Sequence, residues 1–196
     1  MENKVEESDV QYNYYSVEEY WDIEGSTETK NEYYNGNLVV IQGASLNHNH
    51  IVMNLVGHLS SRVKNNGCKM FVTDLRLSIS SANTYVYPDA MIICGEPELT
   101  ADKFDTVKNP VVLFEVISKS TEANDRRKFF YYMQMVGVKE IIMINSYEQV
   151  KVEVGVKQEN GSWQINTYTS IADKILLSLF NEEISLSDIY EGVTFD

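Results

Sequence analysis

The chain has 196 residues, 43% of them apolar, and a formal net charge of −13 from 16 Lys and Arg against 29 Asp and Glu. That length suits one domain with a proper core, and the acidic balance speaks against a generally basic nucleic-acid binder while leaving room for a local patch. No apolar stretch approaches the roughly 20 residues that span a bilayer, and the start MENKVEESDVQYNYY has neither a basic nor an apolar leader segment, so a cytosolic protein without membrane association is expected.

Residues 1 to 13 carry few large aliphatics and are expected to fray. Ser16 stands where a cap for a short helix VEEYWDIE belongs, with Glu19 three residues on as its capping-box partner and Gly25 as the stop. Asn35-Gly36, between two β-prone runs, predicts a first hairpin. Ile51, Leu55, Leu59 and Val63 recur every four residues, with Val52 widening the stripe, which predicts a long helix over 47–64 closed by Gly67. CKMFVTDLRLSIS and TYVYPDAMIIC read as two antiparallel strands, the first with a change of phase near Asp74, and 95–109 reads as a polar surface loop.

Val111 to Ile117 form an unbroken apolar run apart from Glu115, the pattern of a strand covered on both faces. Ser120 or Thr121 is placed to cap a helix over 122–135 whose apolar side carries Phe129, Met133 and Val136, with Gly137 at its end. EIIMINS and QVKVEVGV make a strand pair around Tyr147 to Gln149, WQINTYT adds a third strand beyond Asn160-Gly161, and the tail offers a short amphipathic segment around Ile175 to Phe180. Together these predict one domain over 1–196 of α/β type with α+β character, a mixed β-sheet flanked by two main helices. Cys68 and Cys94 lie in apolar segments and read as buried free thiols rather than a disulfide; two thiols alone make a poor metal site.

The chemistry centres on Glu115. A lone ionised carboxylate inside such a strand costs several kcal/mol unless a cation, a proton or hydrogen bonds compensate. Asp89 follows Pro88 at the start of another apolar strand, 26 residues earlier, and if the two strands are neighbours the carboxylates converge. Close carboxylates repel unless a divalent cation lies between them. With the backbone carbonyl of Ile117, two residues on and on the same face as Glu115, they give three oxygen ligands, a set suited to Mg²⁺ rather than zinc. Asp125, Lys128 and Tyr132 share a polar stripe on the following helix, where Lys128 is placed to orient water and stabilise charge in a phosphorane-like transition state.

Two blocks, YPDAMIICGEPEL and NPVVLFEVISKSTEANDRRKFFYYMQMVGVKEIIMIN, together with EYYNGNLVVIQGASLNHNHIVMNL, resemble the Uma family, a branch of the PD-(D/E)XK restriction-endonuclease-like superfamily, over residues 16 to about 155. The resemblance implies a restriction-endonuclease-like core over about 16–155, with a C-terminal strand and short helix in 160–196. It further implies Asp89 and Glu115 as metal ligands, Mg²⁺ (or Mn²⁺) as cofactor, and hydrolysis of DNA phosphodiesters. The superfamily's lysine two residues after the acidic one is Ile117 here, and its place is taken by Lys128, with Lys119 and Arg127 as alternatives. Glu32 is a further candidate ligand, and the resemblance sets His50 at a family position without a chemical step. DNA is the implied partner, and a homodimer would match a two-stranded substrate.

The competing readings are structural. Glu115 would pair with Arg126 or Arg76, Asp89 would begin a strand or cap a turn, and Lys128 would be a solvated helix lysine. His48 and His50, two apart at a helix start, point to different sides and predict no zinc site. At the level of function the alternatives are a catalytically silent DNA- or protein-binding member of the same fold, or a dimeric interaction module.

Overall fold

The computed structural model describes residues 14–102 and 104–195; the stretch 1–13, expected to fray, lies outside them. Helix α1 (Val17–Ser26) starts with the predicted capping box: Ser16 Oγ accepts from the Glu19 amide, and the Glu19 carboxylate accepts from the Ser16 amide at 2.7 Å. Two N–H groups that the helix cannot satisfy itself are thereby bonded. Strands β1 (Asn31–Tyr34) and β2 (Asn37–Val40) form the first hairpin, with Asn35 at φ 44° and Gly36 at φ 102°, the left-handed pair that a tight hairpin turn of this hand requires. Helix α2 (Leu46–Asn65) is capped by Ser45, whose hydroxyl accepts from the His48 amide, and it buries Ile51, Val52, Leu55, Leu59 and Val63.

Where the sequence suggested two long strands there are four: β3 (Cys68–Val72), β4 (Arg76–Ile79), β5 (Thr84–Val86) and β6 (Ala90–Cys94). The phase change near Asp74 is a real break, at which Thr73 takes φ 46°, and Tyr87 to Asp89 make the second. Each break passes the chain from one sheet to another. Strand β7 (Thr106–Val107) lies in the segment expected to be loop and pairs parallel with β4. Strand β8 (Val112–Ile117), helix α3 (Glu122–Met133), and strands β9 (Glu140–Asn145), β10 (Val152–Lys157) and β11 (Trp163–Tyr168) follow as expected in type. Helix α3 stops before Val136, however, which is exposed rather than part of its apolar side. The C-terminal amphipathic segment is a hairpin: β12 (Lys174–Leu177) buries Ile175 and Leu177 but not Leu176, a period of two, and pairs with β13 (Glu182–Ser185) before the short helix α4 (Leu186–Ile189).

The larger sheet has the order β11-β10-β9-β8-β6-β3, with β8 and β9 parallel and the other pairs antiparallel; a second sheet has the order β2-β1-β5-β4-β7. One face of the larger sheet, including Ile92, Phe114, Val116 and Ile142, packs on α2 and on the C-terminal hairpin. The other, with Met91, Leu113, Ile117 and Met143, packs on α3 and the second sheet through Phe129, Tyr132, Leu77 and Val86. Covering on both faces explains why β8 and β9 read as continuous apolar runs. No helix among the described residues is long and apolar enough to cross a membrane.

The reading of Cys68 and Cys94 as free thiols is corrected. They stand directly opposite in the β3–β6 pair, with Cα atoms 4.0 Å apart, and are joined as a disulfide. Twenty-six residues separate them along the chain, and only the antiparallel register brings them face to face.

Candidate active site

The register of β6 on β8 pairs Ala90 with Phe114 and Met91 with Leu113. One step further sets Asp89 opposite Glu115. Side chains alternate along a strand, so Asp89, Met91 and Ile93 share the face of Leu113, Glu115 and Ile117, the face that α3 and the second sheet cover. Both carboxylates line a cleft of about 520 Å³ with Glu32, His48, Asn124, Asp125 and Lys128.

Glu115 is buried and faces Lys128, whose Nζ lies 2.9 Å from its Oε2, while its Oε1 accepts from the Tyr132 hydroxyl. Lys128 is no solvated helix lysine. It is 4% exposed and reaches Glu32 Oε1 at 3.2 Å and Asp125 Oδ1 at 3.1 Å as well. Neither arginine of the structural reading meets Glu115: Arg126 bonds Glu153, and Arg76 bonds Thr106 beside Asp102. The alternative cations Lys119 and Arg127 do not line the cleft; Lys119 is exposed, and Arg127 lies over the Tyr34 ring.

The electrostatics are lopsided, with four carboxylates (Glu32, Asp89, Glu115 and Asp125) around one ammonium. Burial pushes the Glu115 carboxyl well above the ordinary range; Lys128 pulls it back, and Asp89, Asp125 and Glu32 push it up again. Asp125 is raised by burial too, against the pull of Lys128. Burial acts to lower Lys128, but Glu115, Glu32 and Asp125 together outweigh it and hold the ammonium well above its usual range. Burial and the Glu115 charge likewise keep the Tyr132 phenol protonated far beyond its normal limit. The cluster therefore carries a firmly held lysine and an excess of negative charge that a proton or a cation relieves.

Asp89 is held at both oxygens: Oδ2 accepts from the Val116 amide at 2.7 Å, and Oδ1 lies 2.9 Å from His48 Nε2. Glu32 accepts from the Tyr87 amide, the Tyr34 hydroxyl and Asn124 Nδ2. The Ile117 carbonyl, expected as a third oxygen ligand, is engaged elsewhere. It accepts from Ser146 N and Oγ, at 2.9 and 2.8 Å, on the β9 side. The Val116 carbonyl is the better-placed oxygen, since Val116 lines the cleft and its amide already points to Asp89. In an antiparallel ladder a residue's N–H and C=O face the same neighbour, and the residue opposite Val116 in the continued register is Pro88, which has no N–H to give it. Among the described residues no group of three or more His, Cys, Asp or Glu side chains is arranged to hold a metal ion; the carboxylates gather round Lys128 instead, and Glu115 turns its oxygens to Lys128 and Tyr132.

A family model described as "Putative restriction endonuclease", Uma2, matches residues 17–192. The chain belongs to the Uma2 family. Two uncharacterized Synechocystis proteins are similar to it: sll1609, 34% identical over 130 residues covering 66% of this chain and 73% of that protein, and slr1290, 28% identical over 181 residues covering 92% and 93%. A crystal structure described as a putative nuclease belonging to DUF820, from Anabaena variabilis, superposes with a TM-score of 0.67 at 17% identity, over 84% of this chain and 91% of that one, and so shares the fold.

Within this Uma2 chain, Asp89, Glu115, Lys128 and Glu32 come together as the sequence suggested. His50 does not join them; its ring lies against Gly192. The histidine in the cleft is His48, which the i, i+2 argument separated from His50 but left without a partner. A signal was available: His48 is three residues after the cap Ser45, so the rigid first turn of α2 fixes its place.

Proposed function

We propose that this protein is a divalent-metal-dependent endonuclease that hydrolyses phosphodiester bonds of DNA, with Mg²⁺, or Mn²⁺ in its stead, as the cation. The observation that carries the reading is the pairing of β6 with β8, which puts Asp89 beside Glu115 in a cleft with Lys128 on Glu115. Two carboxylates and the Val116 carbonyl are hard oxygen donors that suit Mg²⁺ and Mn²⁺ alike, and the local excess of negative charge favours a divalent ion, so the residues present fit the group. Asp89, Glu115 and Val116 would hold it, and bound there it supplies Lewis-acid polarisation and a more acidic water.

The remaining roles belong to the chain. Lys128 orients the attacking water and offsets the charge that builds on the phosphoryl oxygens as the new P–O bond forms and the bond to the leaving sugar oxygen breaks. Tyr132 holds Glu115 in place, and Asn124 with Tyr34 does the same for Glu32, so the reacting groups sit on strands and a helix rather than on loops. Action on both strands of a duplex calls for two such centres, and we extend the reading to a two-fold homodimer. Light scattering at micromolar concentration is expected to give twice the 22.5 kDa chain mass, and a monomer mass would remove the dimer while leaving the chemistry.

The test of the activity is cleavage of supercoiled plasmid DNA in Mg²⁺ and in Mn²⁺. The wild-type chain is expected to nick it, and Asp89→Ala to lose the activity by about 10²-fold or more. Cleavage that Asp89→Ala leaves intact would take Asp89 out of the chemistry, and none by the wild type in either ion would favour a silent DNA- or protein-binding member of the fold.

A further inference from the structure

Asp89 in this structure has a neighbour that the carboxylate reading does not use. Its Oδ2 is held by the Val116 amide, so Oδ1 is the oxygen that would face a cation, and it is Oδ1 that His48 Nε2 approaches to 2.9 Å. The Val116 amide already orients this carboxylate, so His48 is not required for that task. Two adjacent ligands on an octahedral ion with bonds of about 2.1 Å lie about 3 Å apart, which is the His48–Asp89 separation. The other ring nitrogen, Nδ1, is buried with no hydrogen-bond partner among the described residues, so nothing behind the ring fixes its tautomer and what Nε2 faces decides it. Ser45 caps α2 through the His48 amide, and the ring is thus presented from a rigid first turn.

We infer that His48 Nε2 is a ligand of the same cation as Asp89, and that the site is therefore matched to a first-row transition ion such as Mn²⁺ rather than to Mg²⁺. The inference rests on the proposed metal site and adds a ligand to it. Oxygen donors alone discriminate little between the two ions by ligand type, whereas an imidazole nitrogen favours the transition metal. The position 48 ring thus sets which ion the centre selects, and Asp89 and Glu115 set whether it binds one at all.

The experiment uses the full chain with Mn²⁺ alone. Electron spin-echo modulation of the bound Mn²⁺ is expected to show the coupling of one directly bound imidazole ¹⁴N, absent in His48→Gln. Competition titrations are expected to show Mn²⁺ bound at least about tenfold more tightly than Mg²⁺, with that ratio collapsing in His48→Gln while Mg²⁺ affinity changes much less. Mn²⁺ bound in an Asp89-dependent manner without nitrogen coupling would overturn the role of His48 and leave the carboxylate site standing. Mn²⁺ that fails to bind, or binds equally well to Asp89→Asn, would overturn both. The spectroscopic reading needs no variant, so a His48→Gln chain that fails to fold does not shield the inference.

Discussion

Among single residues, the sequence posed its sharpest problem at Glu115, an acid in an apolar strand, and its partners follow from α3: Lys128 and Tyr132 meet it one turn apart. Its carboxyl is raised by burial and by neighbouring carboxylates, which fixes a sign. A carboxyl with a higher pKa folded than unfolded binds its proton more tightly in the native state, so its contribution to stability is greatest at low pH. That contribution is lost as pH rises from the ordinary value of 4.5 through the raised one. Chemical denaturation of the metal-free chain is therefore expected to show this component falling with pH above 4.5, and Glu115→Gln to remove it, leaving the protein as stable or about 1 kcal/mol more stable at neutral pH. A Glu115→Gln chain that loses stability increasingly as pH rises would contradict the direction. Lys128→Ala acts the other way, since it strands Glu115, Glu32 and Asp125 without their cation. A loss of about 3 kcal/mol or more is expected without metal, together with a fall in single-turnover cleavage of about 10²-fold or more at saturating Mg²⁺. Near-wild-type cleavage by Lys128→Ala would take the lysine out of the chemistry.

Among the elements, what the sequence made legible was local: the Ser16–Glu19 capping box, the Asn35-Gly36 turn, the four-residue stripe of α2 and the apolar runs of β8 and β9. What it hid was set by partners distant in the chain. The division of 68–94 between two sheets turns on one left-handed residue, Thr73, and on Pro88. Strand β7 exists only because β4 is beside it, and β12 with four residues is too short for its period of two to stand out against a helical reading. The Cys68–Cys94 bridge depended on the β3–β6 register, as the Asp89–Glu115 pair did on β6–β8. The Ile117 carbonyl was assigned by counting residues along one face, and the error was to treat a carbonyl, which lies in the plane of the sheet, as if it followed side-chain alternation. The bridge predicts that a Cys68→Ser, Cys94→Ser chain unfolds about 3 kcal/mol more easily, the scale of closing a loop of this length, while keeping the Asp89 site. Equal denaturation midpoints with and without reductant would show that the thiols are not joined. Ser45→Ala is expected to cost about 1 kcal/mol through the lost α2 cap.

For the molecule as a whole, a net charge of −13 and a cleft richer in carboxylates than in cations make a chain that repels DNA unless something positive intervenes. A divalent ion answers both needs, relieving the buried charge and offering the phosphate a counter-charge. DNA binding, measured by anisotropy with a labelled duplex, is accordingly expected to strengthen when Ca²⁺, a non-reactive substitute, is added, and to lose that dependence in Asp89→Asn. Everything proposed for the cleft depends on Asp89 and Glu115 serving one cation, and calorimetric titration of the wild-type, Asp89→Asn and Glu115→Gln chains with Mn²⁺ tests this without recourse to cleavage. Saturable binding by the wild type is expected, weakened about tenfold or more by either substitution; equal affinity in all three chains would contradict it.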